Sequence, residues 1–236
     1  VNLLQPQDRR SADAGDSGEA VEARRRLLEA GVGLAILQIF VRRAASLHLE
    51  ARDVVVDLGC GAGDALAGLS AATRVQGIGI DLAVRAVALA ARRFPGQTWI
   101  VANADRRLPL REASVALSYS LHGRRNPTDC ARVLRKSAWL MVATPAPDDL
   151  IELRAVVQGA PVERSRAERV LSEHQPLFDL ADRVSLREHH RLERAHLIDL
   201  LRGTYRGLRA SVDERVQALT TLDVTLASDL FIFTRR

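Results

Sequence analysis

Cysteine is nearly absent from this chain. Of its 236 residues only Cys60 and Cys130 carry a thiol, and they form no Cys-x-x-Cys pair. That spacing excludes a zinc ribbon within the sequence and a disulfide framework, and no metal site is expected. Long apolar runs are missing too. None approaches the roughly twenty residues of a membrane helix, and no secretory leader stands at the start. The expectation is a cytoplasmic protein with no membrane partner. Lysine is reduced to Lys136, so a net charge of +5 and a pI near 10.1 rest almost wholly on arginine. The arginines fall in scattered doublets, a pattern that fits solvated helix faces as well as nucleic-acid contact. Internal repeats and low-complexity segments are absent. The 47% hydrophobic share is ample for a packed core, and the length suits one larger domain, or one domain with arms.

One stretch organises the rest: Val54-Val55-Val56-Asp57-Leu58-Gly59-Cys60-Gly61-Ala62-Gly63-Asp64. Three β-branched residues in a row read as a strand buried on both faces. A glycine-rich turn follows, then a helical run from Ala65 to Ala72. Such a turn lets backbone approach a ligand closely. A third dinucleotide glycine, in Gly-x-Gly-x-x-Gly, is also lacking, because its position holds Asp64. Asp64 and Asp57 would repel a pyrophosphate. An acidic rim suits a ligand with positive charge, and the sulfonium and amino groups of S-adenosylmethionine (SAM) meet that description. Roughly twenty residues on, Gly79-Ile80-Asp81 ends a second strand with a carboxylate placed for ribose hydroxyls. An ordinary tight turn without a ligand is the plainer alternative.

Alternation continues along the chain. Strands are expected at 52–58, 74–80, 98–101, 115–119 and 138–143, and helices at 65–72, 83–94 and 128–134. This pattern argues for an α/β fold, a parallel sheet with helices on both faces. Ligands in such sheets sit at the carboxyl ends of strands. That edge would carry Asp57, Asp81, Asn103, Ser120 to His122, and Thr144 to Pro147. Before it, residues 1–50 form an arm, helical from Glu19 to about Ser46 with a break at Gly31 and Gly33. Residues 51–236 form the main domain, with an acceptor-side insert near 148–181. The last third is less regular: helices are expected at 150–157, 160–175, 195–201 and 212–219, and strands at 184–192 and near the C-terminal Phe231-Ile232-Phe233.

Several motifs narrow the reading: Val1-Asn2-Leu3-Leu4, Arg10-Ser11, Gly15-Asp16-Ser17, Ala23-Arg24-Arg25, Leu28-x-Ala30-Gly31, Leu108-Pro109-Leu110, Ala131-Arg132-Val133-Leu134 and Ala143-Thr144-Pro145-x-Pro147. With the glycine turn and Gly79-Ile80-Asp81, they span nearly the whole chain. In these the sequence resembles the bacterial 23S ribosomal RNA guanine-N1 methyltransferases, a group that includes macrolide-resistance enzymes. The resemblance implies a class I SAM-dependent methyltransferase with a Rossmann-like fold. It departs in three places. The family carries a zinc ribbon ahead of Asn-Leu-Leu, which lies outside this sequence. Its Ala-Gly-His-Tyr becomes Ala30-Gly31-Val32-Gly33. Its Ala-Pro-Cys loop after the fourth strand is replaced by Ser120-Leu121-His122-Gly123-Arg124-Arg125.

The expected roles follow. Asp57 and the turn, with Gly59, Cys60, Gly61, Gly63 and Asp64, would hold the methionine part of SAM. Asp81 and Leu82 would hold the ribose. Asn103 or Ala104 would lie against adenine, by resemblance to the class, and Ser120 completes the cofactor set. On the acceptor side His122 is the candidate base, since neutral imidazole takes a proton near pH 7; a loop histidine bonded to backbone is the alternative. Tyr119 is a candidate for orienting a ring, or is packing. Asp16 is a candidate to close the site, or is the N-cap of the first helix. His189 and His190, adjacent on a strand, face opposite sides and form no joint site. Three functions remain open: methylation of a guanine in ribosomal RNA, methylation of a small aromatic molecule, and a non-catalytic RNA-binding relative. A homodimer is compatible with each.

Overall fold

The computed structural model describes residues 1–5, 8, 15–158, 165–204, 216 and 218–236. Its centre is β1 (Val54–Leu58), in which Val55 and Val56 are wholly buried and Val54 partly so. Branched side chains suit a strand covered on both faces. β1 lies between two parallel neighbours, β2 (Gln76–Asp81) and β4 (Val115–Leu121). Outward from these run β3 (Thr98–Val101) on one side and β5 (Leu134–Pro145) on the other. Two long strands finish the sheet. β7 (Thr221–Arg235) pairs antiparallel with β5, and β6 (Phe178–Glu193) pairs antiparallel with β7. The order is β3-β2-β1-β4-β5-β7-β6, so the strand direction reverses only at β7. Beyond β3, Asn2 makes a parallel bridge to Val101.

Helices cover both faces. α2 (Leu34–Ala45), α3 (Asp64–Thr73) and α4 (Val84–Arg93) pack Phe40, Leu66, Leu69 and Val87 against Val55, Leu117 and Met141. On the opposite face α5 (Pro127–Val133) and α7 (Ala167–His174) pack Cys130, Ala131 and Val170 against Val56, Leu58 and Leu140. A third cluster lies over the carboxyl ends of the strands. There α1 (Gly18–Glu29) and α6 (Ile151–Gln158) meet α8 (Arg194–Thr204) through Leu27, Leu153, Leu197 and Leu201. Arg26 fastens α1 to α8 by two bonds to Asp199, at 2.8 and 2.5 Å.

The expected core strands and helices are present, with longer outer strands. β5 starts at Leu134 rather than 138, and β6 at Phe178 rather than 184. Among the extra residues of β6 only Phe178 is buried, and the mostly exposed Asp179-Leu180-Ala181-Asp182-Arg183 mixes apolar and charged side chains without a clean alternation, as an edge strand permits. Of the helix expected over 160–175, residues 167–174 form α7, and 160–164 lie outside the described residues. Arg10-Ser11 and most of the helix expected over 212–219 lie outside them as well.

Close packing of β2 on β3 places the turn. Gly79 sits opposite Trp99, and a Cβ on it would stand 2.3 Å from two atoms of the indole ring. Gly79→Ala is expected to cost about 1–3 kcal/mol through overpacking, measured by urea unfolding. Gly96→Ala, whose Cβ would enter open space, is the control. A loss at Gly79 no larger than the control's would mean that the ring yields freely.

Candidate active site

The carboxyl ends of β1, β2 and β4 open into a cleft of about 1630 Å³. Its floor is the turn after β1. Gly59 and Cys60 donate their N–H groups to Ile80 O at 2.8 and 3.1 Å, which pins the turn to β2. Gly61 has φ +53°, and a Cβ there would meet nothing within 4 Å, so its bare backbone faces the cleft. Gly63, at φ +87°, is glycine for a different reason: a Cβ would strike Trp99 at 2.5 Å.

Two carboxylates mark this floor. Asp81 accepts from Gly61 N–H at 2.9 Å through Oδ2 and from Ala83 N–H at 2.8 Å through Oδ1. Each oxygen keeps a lone pair for a further donor. Burial raises the Asp81 pKa, and the two backbone donors oppose it. Asp57 is only 2% exposed, and its Oδ2 has no hydrogen-bond partner. The Tyr119 hydroxyl lies beside Asp57 as a weak hydrogen-bond donor that falls short of satisfying Oδ2. Burial pushes the Asp57 pKa up to about 8. A buried acceptor without a donor is costly unless a ligand supplies one or the group holds a proton.

Comparison with known proteins follows the same lines. A profile described as a methyltransferase domain matches residues 55–141. The 23S rRNA (guanine(748)-N1)-methyltransferase of Streptomyces fradiae is 33% identical over 197 residues, covering 82% of this chain and 69% of that protein. A Micromonospora griseorubida protein named for 23S rRNA guanine-N1 methylation is 30% identical over 218 residues, covering 85% and 72%. The chain belongs to the 23S rRNA guanine-N1 methyltransferase family. Among solved structures, the YcgJ protein of Bacillus subtilis superposes with a TM-score of 0.60 at 16% identity, covering 85% of this chain and 97% of the other. A geranyl diphosphate methyltransferase in complex with SAM gives 0.59 at 16% identity, covering 95% and 93%. At such identities these structures share the fold, which is that of class I methyltransferases.

The enzyme is thus a SAM-dependent methyltransferase, and its cleft suits that cofactor on its own chemistry. The poorly satisfied Asp57 Oδ2 calls for a cationic or N–H donor, and the bare Gly61 backbone leaves room beside it. Asp81, Leu82, Asn103 and Ala104 line the next stretch of wall. Asn103 is held in place by donating to Asp8 Oδ1 and accepting from Asp105 N–H, both at 3.0 Å. Cys60 lines the cleft as an inert thiol, because burial and the two carboxylates hold its pKa well above normal.

Other expected residues stand elsewhere. Asp64 lines the cleft but spends both oxygens on Arg93, at 2.6 and 3.0 Å, so it clamps the turn to α4. Ser120 is fully buried, with its hydroxyl beneath Gly123. Tyr119 is a correction. It is fully buried and packs on Phe40 at 4.2 Å between ring centroids, so it touches no acceptor. Its side of β4 faces α2, whereas an acceptor approaches from the strand ends. Asp16 lines the cleft and pairs with Arg24. Ser17, not Asp16, caps α1 by accepting from Ala20 N–H at 3.1 Å.

His122 lines the cleft at the end of β4, with φ +61°. Its ring nitrogen Nε2 lies 2.8 Å from Ser228 Oγ. His122 is exposed to the open cleft, and the surrounding protein and the positive Arg166 act to lower its pKa, so the imidazole is neutral at pH 7. Sequence reasoning missed its neighbours Asp149, Arg154, Glu188 and Ser228, which line the same wall. They come from the irregular last third, and only Thr144-Pro145-x-Pro147 hinted at that edge.

The Asp57 proton gives a test. The folded enzyme holds it up to about pH 8, while an unfolded Asp loses it near 3.8. Stability of the free enzyme should therefore fall as pH rises through that window, and Asp57→Asn should flatten the slope. A cationic ligand favours the carboxylate, so SAM binding at pH 7 should expel a proton. Calorimetric heats should then vary with the ionisation enthalpy of the buffer. Heats identical in all buffers would show that Asp57 does not meet the ligand's charge.

Proposed function

We propose that the enzyme transfers the methyl group of SAM to N1 of a guanine in 23S ribosomal RNA. The observation that carries this reading is kinship along most of the chain with proteins named for that reaction. The cleft supports it. Its volume exceeds the roughly 300–1,000 Å³ typical of a small-molecule pocket, and a base taken out of its stack needs such room beside the cofactor. Ribosomal RNA as substrate would place the enzyme in the cytoplasm.

Bound SAM supplies a methyl group on a sulfonium, a ready electrophile. What the protein must add is alignment and a route for the guanine N1 proton. Asp57, Gly61 and Asp81 would hold the donor. His122 would take the N1 proton as the methyl group arrives, since its imidazole is neutral at pH 7 and Ser228 Oγ fixes the ring, while its lowered pKa makes it too weak a base to remove that proton beforehand. Arg154, only 6% exposed and anchored by donating to Pro147 O at 2.6 Å, would offer positive charge to the base's carbonyl oxygen or to a phosphate.

Radiolabelled SAM with 23S rRNA transcripts tests the reaction, and a reverse-transcription stop locates a methyl on the pairing edge of guanine. Label appearing only in a small aromatic metabolite would overturn it. His122→Asn keeps a residue that tolerates positive φ. It is expected to lower kcat by about 10²–10⁴-fold with SAM affinity unchanged. An unchanged kcat would remove His122 as the base.

A further inference from the structure

A second groove runs over the outside of α1 and α4, with a volume of about 480 Å³. It joins the cleft, because Glu19, Val21 and Arg202 line both. Four arginines face it: Arg26 from α1, Arg85 and Arg92 from α4, and Arg202 from α8. Arginines elsewhere in this protein are commonly spent on carboxylates, as Arg26 is on Asp199 and Arg93 on Asp64. Arg85, Arg92 and Arg202 are exposed and pair with no carboxylate among the described residues. The groove's own acids offset them only in part. Glu22 is taken by Arg25, which leaves Glu19. Gly18 widens the passage, since a Cβ there would stand 2.7 Å from the Arg85 guanidinium.

We infer that this groove binds the phosphate backbone of the RNA segment flanking the target base. The inference rests on the ribosomal RNA reading above. Unpaired guanidinium groups suit phosphate oxygens in one or two directions at once. No aromatic side chain lines the groove, so it offers no platform for stacking bases. Contacts of this type position the RNA without reading its sequence. A strand leaving the cleft past Arg202 would meet Arg85 and Arg92 next.

The test compares two double variants of the full chain. Arg85→Glu with Arg92→Glu reverses charge in the groove. Arg74→Glu with Arg111→Glu makes the same change in net charge at exposed sites away from it. Binding of a 23S rRNA fragment is measured against salt, and SAM affinity is measured in parallel. The groove variant is expected to weaken RNA binding by at least tenfold and to flatten the slope of log K against log salt by about two, near 0.9 per phosphate lost. Its SAM affinity should match that of the unaltered enzyme, and the control should bind RNA nearly as well. Equal losses in both variants, or none in the groove variant, would overturn the inference. Failure of the unaltered enzyme to methylate rRNA, with the groove-specific loss still present, would instead remove the ribosomal RNA reaction and leave the RNA surface standing.

Discussion

A buried carboxylate with no strong partner sits at the end of the central strand, and the cofactor half of the molecule is arranged around it. Asp57 could not remain buried and ionised alone, because the desolvation cost is many kcal/mol. In the free enzyme a proton removes that cost. The surrounding geometry prevents the simpler remedy of a permanent donor. Gly61 turns its N–H to Asp81 instead, and the Tyr119 hydroxyl is only a weak donor to Asp57. The floor therefore keeps one acceptor open for a positively charged ligand. The neighbouring Asp81 is already aimed by two backbone donors and needs no rearrangement to accept more.

Legibility in the sequence follows from how far apart the cooperating residues lie along the chain. The turn, Asp57 and Asp81 were readable because each follows its own strand directly, and parallel neighbours bring such ends together. Parallel order and strand spacing likewise gave the sheet. The acceptor wall was not readable. His122 meets Ser228 across 106 residues, and Ser228 lies on a long antiparallel strand with no polar motif. Asp64 looked like part of an acidic rim, but its partner Arg93 stands 29 residues on, at the far end of α4. Tyr119 shows the limit of position alone. Being near a strand end does not decide which face a side chain takes, and alternation along β4 sends this ring into the core.

The irregular last third owes its form to what it covers. β6 and β7 extend past the sheet, and α6 and α8 fill the space above the strand ends with leucines. The N-terminal arm fastens this layer: Arg26 grips Asp199 while Arg24 donates to Gly203 O at 2.8 Å and also pairs with Asp16 beside the cleft. Arginine suits this work better than lysine, because one planar group can satisfy a carbonyl and a carboxylate together. That explains much of the arginine-rich composition without invoking RNA.

The same reasoning isolates the arginines that the fold does not need. A guanidinium locked between a carboxylate and a carbonyl is neutralised and adds little to long-range attraction. One left in water keeps its full field, screened over a Debye length of about 8 Å at physiological salt. Arg85, Arg92 and Arg202 lie along one groove leading out of the cleft. Their charges would add for a polyanion that lies across all three, and they would do little for a small neutral molecule that enters the cleft alone. Charge placement, more than the net +5 of the chain, is what separates a polymeric acceptor from a small one.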